Sequence, residues 1–179
     1  MHPVYTLYSR SRIVWSRVWR DLSELFEAVG VHGNHSIALY AVDSLRQLGM
    51  KFLEKDELFD YRFQESFLRP FQSIVMRSQS TDIQEFVLTC IDHMLKARVH
   101  NLRSGWKAVL GTLGAVAISA QNGRGGGGGG GGGGRGGGGG DAQGSLVRLA
   151  FETVHWVRDP ARFRRVRRGH FAEFVQVRL

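Results

Sequence analysis

Apolar side chains recur every three or four residues over most of this chain, the spacing that gathers them on one face of a helix. Val14, Val18, Leu22, Leu25 and Val29 form one such stripe, flanked by Trp15, Trp19 and Phe26, and predict a first helix from about Ser11 to Val29. Gly30 and Gly33 are expected to supply the left-handed conformations of a tight turn, with Asn34 placed to cap the next helix. A second helix spans about Ser36 to Glu54 on the stripe Ile37, Ala41, Leu45, Leu48 and Phe52. After a charged, aromatic connector from Asp56 to Arg62, a third helix is marked by Phe63, Phe67, Leu68, Phe71, Ile74 and Val75. Pro70 inside it either kinks the helix or begins a second segment. Ser80 or Thr81 caps a fourth helix through about Arg98, with Glu85 in its first turns. Asn101 or Ser104 opens a fifth, carrying Trp106, Val109, Leu110, Leu113, Val116 and Ala117. Gly111 and Gly114 lower its helix propensity and predict fraying before Asn122. The sixth runs from about Asp141 to Arg158, where Asp159-Pro160 stops it.

One register repeats. Ile37, Ala41, Leu45 and Leu48 are matched by Phe86, Cys90, Met94 and Ala97, and again by Leu146, Ala150, Val154 and Val157. Two residues beyond the small member of each set stands an acid: Asp43, Asp92 and Glu152. Recurrence of this kind predicts an all-α chain, an α-solenoid of HEAT or armadillo type built from antiparallel helix pairs over residues 11–55, 63–99 and 101–158. Three pairs is about the minimum for such an array, and uncapped ends would be apolar, so the chain is expected to be a stretch of a longer one. The tract from Gly125 to Gly140, broken only by Arg135, reads as a flexible insertion over residues 123–141, reaching roughly 20–25 Å end to end.

Composition modifies this picture in one respect. At 42% hydrophobic and 22% charged residues the 179-residue chain is ordinary for a globular protein, but its net charge of +8 is uneven. Fourteen basic residues face twelve acidic ones through Gly123, whereas ten face four from Arg124 onward. Arg162, Arg164, Arg165, Arg167 and Arg168 crowd the tail, residues 159–179, which could meet an anionic membrane or RNA. A nucleic-acid-binding protein using these glycine and arginine segments is therefore an alternative reading. A single cysteine, Cys90, precludes an intramolecular disulfide, and no stretch approaches a signal peptide or a membrane span, which together suggest a cytoplasmic setting.

Five literal words then carry a resemblance. They are Ser11-Arg-Ile-Val-Trp-Ser-Arg-Val-Trp19, Asp43-Ser-Leu-Arg-Gln-Leu-Gly-Met-Lys-Phe-Leu-Glu-Lys-Asp-Glu-Leu58, Arg62-Phe-Gln-Glu-Ser-Phe-Leu-Arg-Pro-Phe71, Asn101-Leu-Arg-Ser-Gly-Trp-Lys107 and Leu149-Ala-Phe-Glu-Thr153. Together they closely resemble the large Sec-seven-type guanine-nucleotide exchange factors for Arf GTPases, in the brefeldin-A-inhibited Golgi branch. The matching part is the first homology region downstream of the catalytic domain (HDS). The resemblance implies a regulatory helical array without the exchange domain, hence no enzyme activity. It also implies protein partners such as activated Arf or other parts of a parent exchange factor, and peripheral association with Golgi or endosomal membranes in vesicle trafficking.

Candidate chemistry is sparse. No catalytic constellation, cofactor site or metal site is expected: Glu54, Asp56 and Glu57 read as a solvated helix end, Cys90 and His93 as two groups short of a zinc site, and His32 and His35 as turn residues. Arg46, Lys51, Arg69, Arg103 and Lys107 would make a partner surface if they line one face. Asp43, Asp92 and Glu152 are expected to meet a basic residue or backbone amide of the adjoining repeat, and Trp15, Trp19 and Trp106 to be core.

Overall fold

A buried proline organises the first half of the molecule. In the computed structural model, which describes residues 3–54, 62–124 and 139–158 and side chains within 16–54, 62–118 and 144–158, Pro70 lies mid-way along one unbroken helix, α3 (Phe63–Arg77). Proline has no amide proton, so the carbonyl of Ser66, four residues earlier, has no donor from within the helix. The indole Nε1 of Trp19 donates to that carbonyl at 3.2 Å instead. Trp19 belongs to α1 (Pro3–Val29), is fully buried, and stacks on Phe67 with ring centroids 4.1 Å apart. Phe26, Phe52 and Phe63 complete an aromatic cluster around these two rings.

Among the described residues the helices α2 (His35–Phe52), α4 (Thr81–Arg98), α5 (Gly105–Arg124) and α6 (Gly139–Arg158) follow the expected order, with a 3-10 turn at Val99–Asn101 before α5. The chain is all-α among the described residues. The side-chain oxygen of Asn34 accepts from the amides of Ser36 and Ile37, and that of Ser80 from Ile83, so the expected caps of α2 and α4 form. Asp82, not Glu85, supplies the acid in the first turn of α4. Odd helices pack on odd ones and even on even, α1 on α3 and α3 on α5, α2 on α4 and α4 on α6, and the two layers meet where α1 packs on α2, α3 on α4 and α5 on α6. Helix α3 runs in the same direction as α1, and α4 in the same direction as α2. Contacts climb together from Trp19 with Ser66 to Glu27 with Ser73, and from Arg46 with His93 to Glu54 with Arg98.

Several expectations change. Helix α1 begins at Pro3, eight residues before the predicted Ser11. Its predicted stripe is rotated, since Val18 and Leu25 are 42% and 56% exposed while the flanking Trp19 is the core residue. Large aromatic rings gain more from burial than valine does, so the Trp19–Phe26 edge takes the inward side. Ile37 is likewise exposed, and Val42 and Gly49 join Ala41 and Leu45 inside. Neither Gly30 nor Gly33 adopts the expected left-handed conformation. Gly30 is needed for another reason, because a Cβ there would lie 2.5 Å from Cδ1 of the buried Ile74. Helix α5 continues to Arg124, past the predicted fraying point, since Thr112, Leu113, Ala115 and Val116 are buried and packing outweighs the helix propensity lost at Gly111 and Gly114. The side chain of Trp15, most of the connector at 56–62, the glycine tract at 125–138 and the tail at 159–179 lie outside the described residues.

Candidate functional site

The five predicted basic residues do not line one face. Arg46 and Lys51 ride on α2 in the even layer, whereas Arg69 on α3 and Lys107 on α5 belong to the odd layer, with Arg103 in the segment leading into α5. Periodicity within a helix fixes which residues share that helix's face but not which layer the helix joins, and this is why the set divides. Arg46 contacts Asp43 through Nη2 at 2.7 Å and lies 3.4 Å from His93 Nδ1 on α4. Lys51 approaches Glu54 at 3.4 Å, and Glu54 also accepts from Arg98 at 3.3 Å. Lys107 pairs with Glu65 at 2.6 Å, while the exposed guanidinium of Arg69 has no hydrogen-bonding or ionic partner among the described residues.

The three acids behave differently from one another. Asp43 accepts from Gln47 at 2.6 Å and from Arg46 Nε at 2.8 Å, both on its own helix, and these hydrogen bonds hold its carboxyl below the usual carboxylate range. Asp92 pairs with Lys96 at 2.6 Å and accepts from the Thr153 hydroxyl of α6 at 3.3 Å, the one member of the three that receives a bond across helices among the described residues. Glu152 is exposed and meets Arg148 of its own helix, at 3.7 Å.

The word Asn101 to Lys107 acquires a physical account. The Asn101 side chain donates to the carbonyl of Leu53 at 2.7 Å, satisfying an end group of α2. Gln64, buried at the start of α3, donates to the Asn101 carbonyl and accepts from the Arg103 amide, both at 2.8 Å. The Ser104 hydroxyl accepts from the amide of Glu65 at 3.1 Å, capping α3 from a distance of 39 residues in sequence. A Cβ on Gly105 would lie 2.9 Å from Leu68, and Trp106 is buried. Lys107 closes the set on Glu65. Sequence reasoning missed Gln64, Asn101 and Ser104 as a unit. The available signal was their polarity among apolar neighbours, which has no periodicity to betray a buried partner.

Cys90 is buried and its thiol is pushed up to about 12, mainly by desolvation, so it is a neutral packing group. His32 Nδ1 accepts from the Asn34 amide, and His35 stands 4.0 Å from Asp82. Among the described residues no cluster of three or more His, Cys, Asp or Glu could hold a metal ion, and no helix is long and apolar enough to cross a membrane.

Residues 51–123 match the family model described as Sec7-like HDS, Mon2/Sec7/BIG1-like. Residues 51–123 are a Sec7-like HDS region. The matched stretch takes in α3, α4 and nearly all of α5, together with the Asn101–Lys107 junction. This HDS chain is similar to brefeldin A-inhibited guanine nucleotide-exchange protein 1 of Arabidopsis thaliana, 50% identical over 101 residues, which is 56% of this chain and 6% of that protein. Protein 4 of the same name from Arabidopsis thaliana is 40% identical over 146 residues, covering 82% of this chain and 7% of that protein. The Homo sapiens brefeldin A-inhibited protein 1 is 48% identical over 105 residues, 59% of this chain and 6% of that protein. The HDS chain thus spans only 6–7% of the length of these relatives.

Proposed function

We propose that this chain is a non-catalytic regulatory module of a large Arf guanine-nucleotide exchange factor, acting through protein contacts on a helical repeat surface. The observation that carries the proposal is the similarity to a brefeldin A-inhibited exchange protein over 82% of the chain. In this reading the three helix pairs form an α-solenoid of HEAT or armadillo type. Support comes from the odd and even layers and their like-directed neighbours, which are how stacked helix pairs bury their apolar faces. Its partners are activated Arf or other parts of an exchange factor, and its setting is the cytoplasmic face of Golgi or endosomal membranes, held there peripherally. The hydrogen-bonded junction at Gln64, Asn101 and Ser104 then serves to fix one pair against the next, so that surface side chains keep their spacing.

Nucleotide release from Arf, followed with a fluorescent guanine nucleotide, tests this. The purified chain alone is expected to leave the release rate at its spontaneous value. Deleting the segment equivalent to residues 51–123 from a brefeldin A-inhibited exchange protein is expected to change that protein's rate or its membrane recruitment. Release catalysed by the chain alone, or a deletion without effect on either property, would overturn the proposal.

A further inference from the structure

Residues at matched positions of the three repeats differ in burial according to their place in the array. Ile37, Phe86 and Leu146 occupy one register position, and Val42, Ile91 and Phe151, each five residues further on, occupy a second. At the first position Ile37 is 44% exposed, Phe86 is half-buried against the core and Leu146 is fully buried. At the second the order reverses, with Val42 and Ile91 fully buried and Phe151 65% exposed. All six side chains are apolar, so residue type does not account for the difference. Position in the layer does. Helix α4 lies between α2 and α6, and among the described residues no even helix precedes α2 or follows α6. The first position is exposed only in the pair that nothing precedes, and the second only in the pair that nothing follows.

Helix α1 enlarges the open front. Four of the seven large hydrophobic side chains exposed among the described residues, Val18, Leu25, Ile37 and Tyr40, belong to the first pair. Val18 and Leu25 stand seven residues apart, about two turns, on one side of α1, whereas α3 is met by Trp19 and Glu27. The two ends are thus the unmated halves of a joint that the chain forms twice internally, between its first and second pairs and between its second and third. Repeats of this kind bury their apolar faces on neighbours of the same construction.

We propose that the chain associates with a second copy of itself head to tail, the first helix pair of one copy stacking on the last pair of the other and burying Ile37 and Phe151 in one joint. A second copy is the occupant because this chain carries both halves: a front that opens Ile37 and a back that opens Phe151. Contact between unlike ends leaves one free end on each side, so the assembly does not close and grows beyond a dimer. The inference deepens the protein-contact reading given above and rests on its stacked helix pairs.

The test uses the whole chain. Sedimentation velocity over a concentration series is expected to show the mass rising past that of a dimer. Ile37→Glu blocks the front and Phe151→Glu the back, both at exposed positions, and Leu25→Glu gives a second front variant. Each variant alone is expected to associate at least tenfold more weakly, as a single chain over most of the series, with a thermal unfolding midpoint close to that of the wild type. An equal mixture of a front and a back variant is expected to form a dimer and nothing larger, because one intact front then meets one intact back. A wild-type chain that stays monomeric, a mixture that stays monomeric, or undiminished association of Phe151→Glu would overturn the proposal. So would association of Phe151→Glu that disappears when residues 159–179 are removed, which assigns the contact to the tail. If the chain is monomeric while deletion of the segment equivalent to residues 51–123 still alters an exchange factor, end-to-end stacking is wrong and the regulatory reading stands.

Discussion

Trp19 and Pro70 are coupled through a carbonyl that neither owns. Pro70 removes the amide that would bond Ser66 within α3, and the indole of Trp19 supplies the missing proton at 3.2 Å. A deficiency created by one helix is met by its neighbour, so the bond specifies that α1 lies against α3 at this depth. The two residues stand in two different family-resembling words, Ser11–Trp19 and Arg62–Phe71, and the structure joins them.

Trp19→Phe preserves an aromatic ring but leaves Ser66 without a donor. Thermal or urea unfolding is expected to show a loss of about 1–3 kcal/mol. On a Pro70→Ala background the same change should cost less, because alanine returns the backbone amide to Ser66. A double-mutant cycle with no coupling between positions 19 and 70 would contradict the account.

Gln64→Leu keeps the volume of a buried side chain and strands the Asn101 carbonyl and the Arg103 amide that the glutamine serves. Destabilisation of about 1–3 kcal/mol is expected, from two partly buried backbone groups left without partners. Hydrogen exchange should accelerate first at the Asn101–Lys107 junction, since this is where the protection originates.

Substitution of alanine separates the glycines by environment. Gly30→Ala drives a methyl to within 2.5 Å of Ile74 and 2.9 Å of the Phe26 carbonyl, and should destabilise by about 1–3 kcal/mol. Gly33→Ala meets open space and should be close to neutral. Equal effects in a denaturation series would mean that packing at Gly30 is not what requires glycine.

Acid stability should carry a signature of Asp43. Hydrogen bonds from Gln47 and Arg46 lower its folded-state pKa below 3.8. A depressed pKa contributes stability that is present above the unfolded value, about 3.9, and is lost as pH falls through the folded one. Wild-type urea midpoints should therefore decline more steeply below about pH 4.5 than those of Asp43→Asn.

Cys90, pushed up to about 12 by burial, should not react with Ellman's reagent at about pH 8 while the chain is folded, and should react fully in denaturant. Rapid reaction of the folded chain would place the thiol at the surface and unseat the α2–α4 packing that buries it.

Much of the architecture was readable in advance. The six helices among the described residues, their order and the caps at Asn34 and Ser80 follow from local physics, since a 3.6-residue period and a side chain that accepts the first free amides act over a few residues only. The same locality limits what could be read. Which edge of α1 turns inward depended on the rings of α3, so Trp19 became core and Val18 surface. Gly30 was recognisable as a turn residue, but its actual reason, the approach of Ile74 from 44 residues away, has no trace nearby.

By itself, then, the order of residues determined the helices, their caps and the family, all properties carried by short-range spacing or literal wording. Tertiary structure alone decided which charges share a face. It sent Arg46 and Lys51 to one layer and Arg69 and Lys107 to the other, joined Gln64 to Asn101, and paired Glu65 of α3 with Lys107 of α5. Those outcomes depend on how helices stack through distant apolar contacts, and such contacts leave no periodic signal in the segments they bring together.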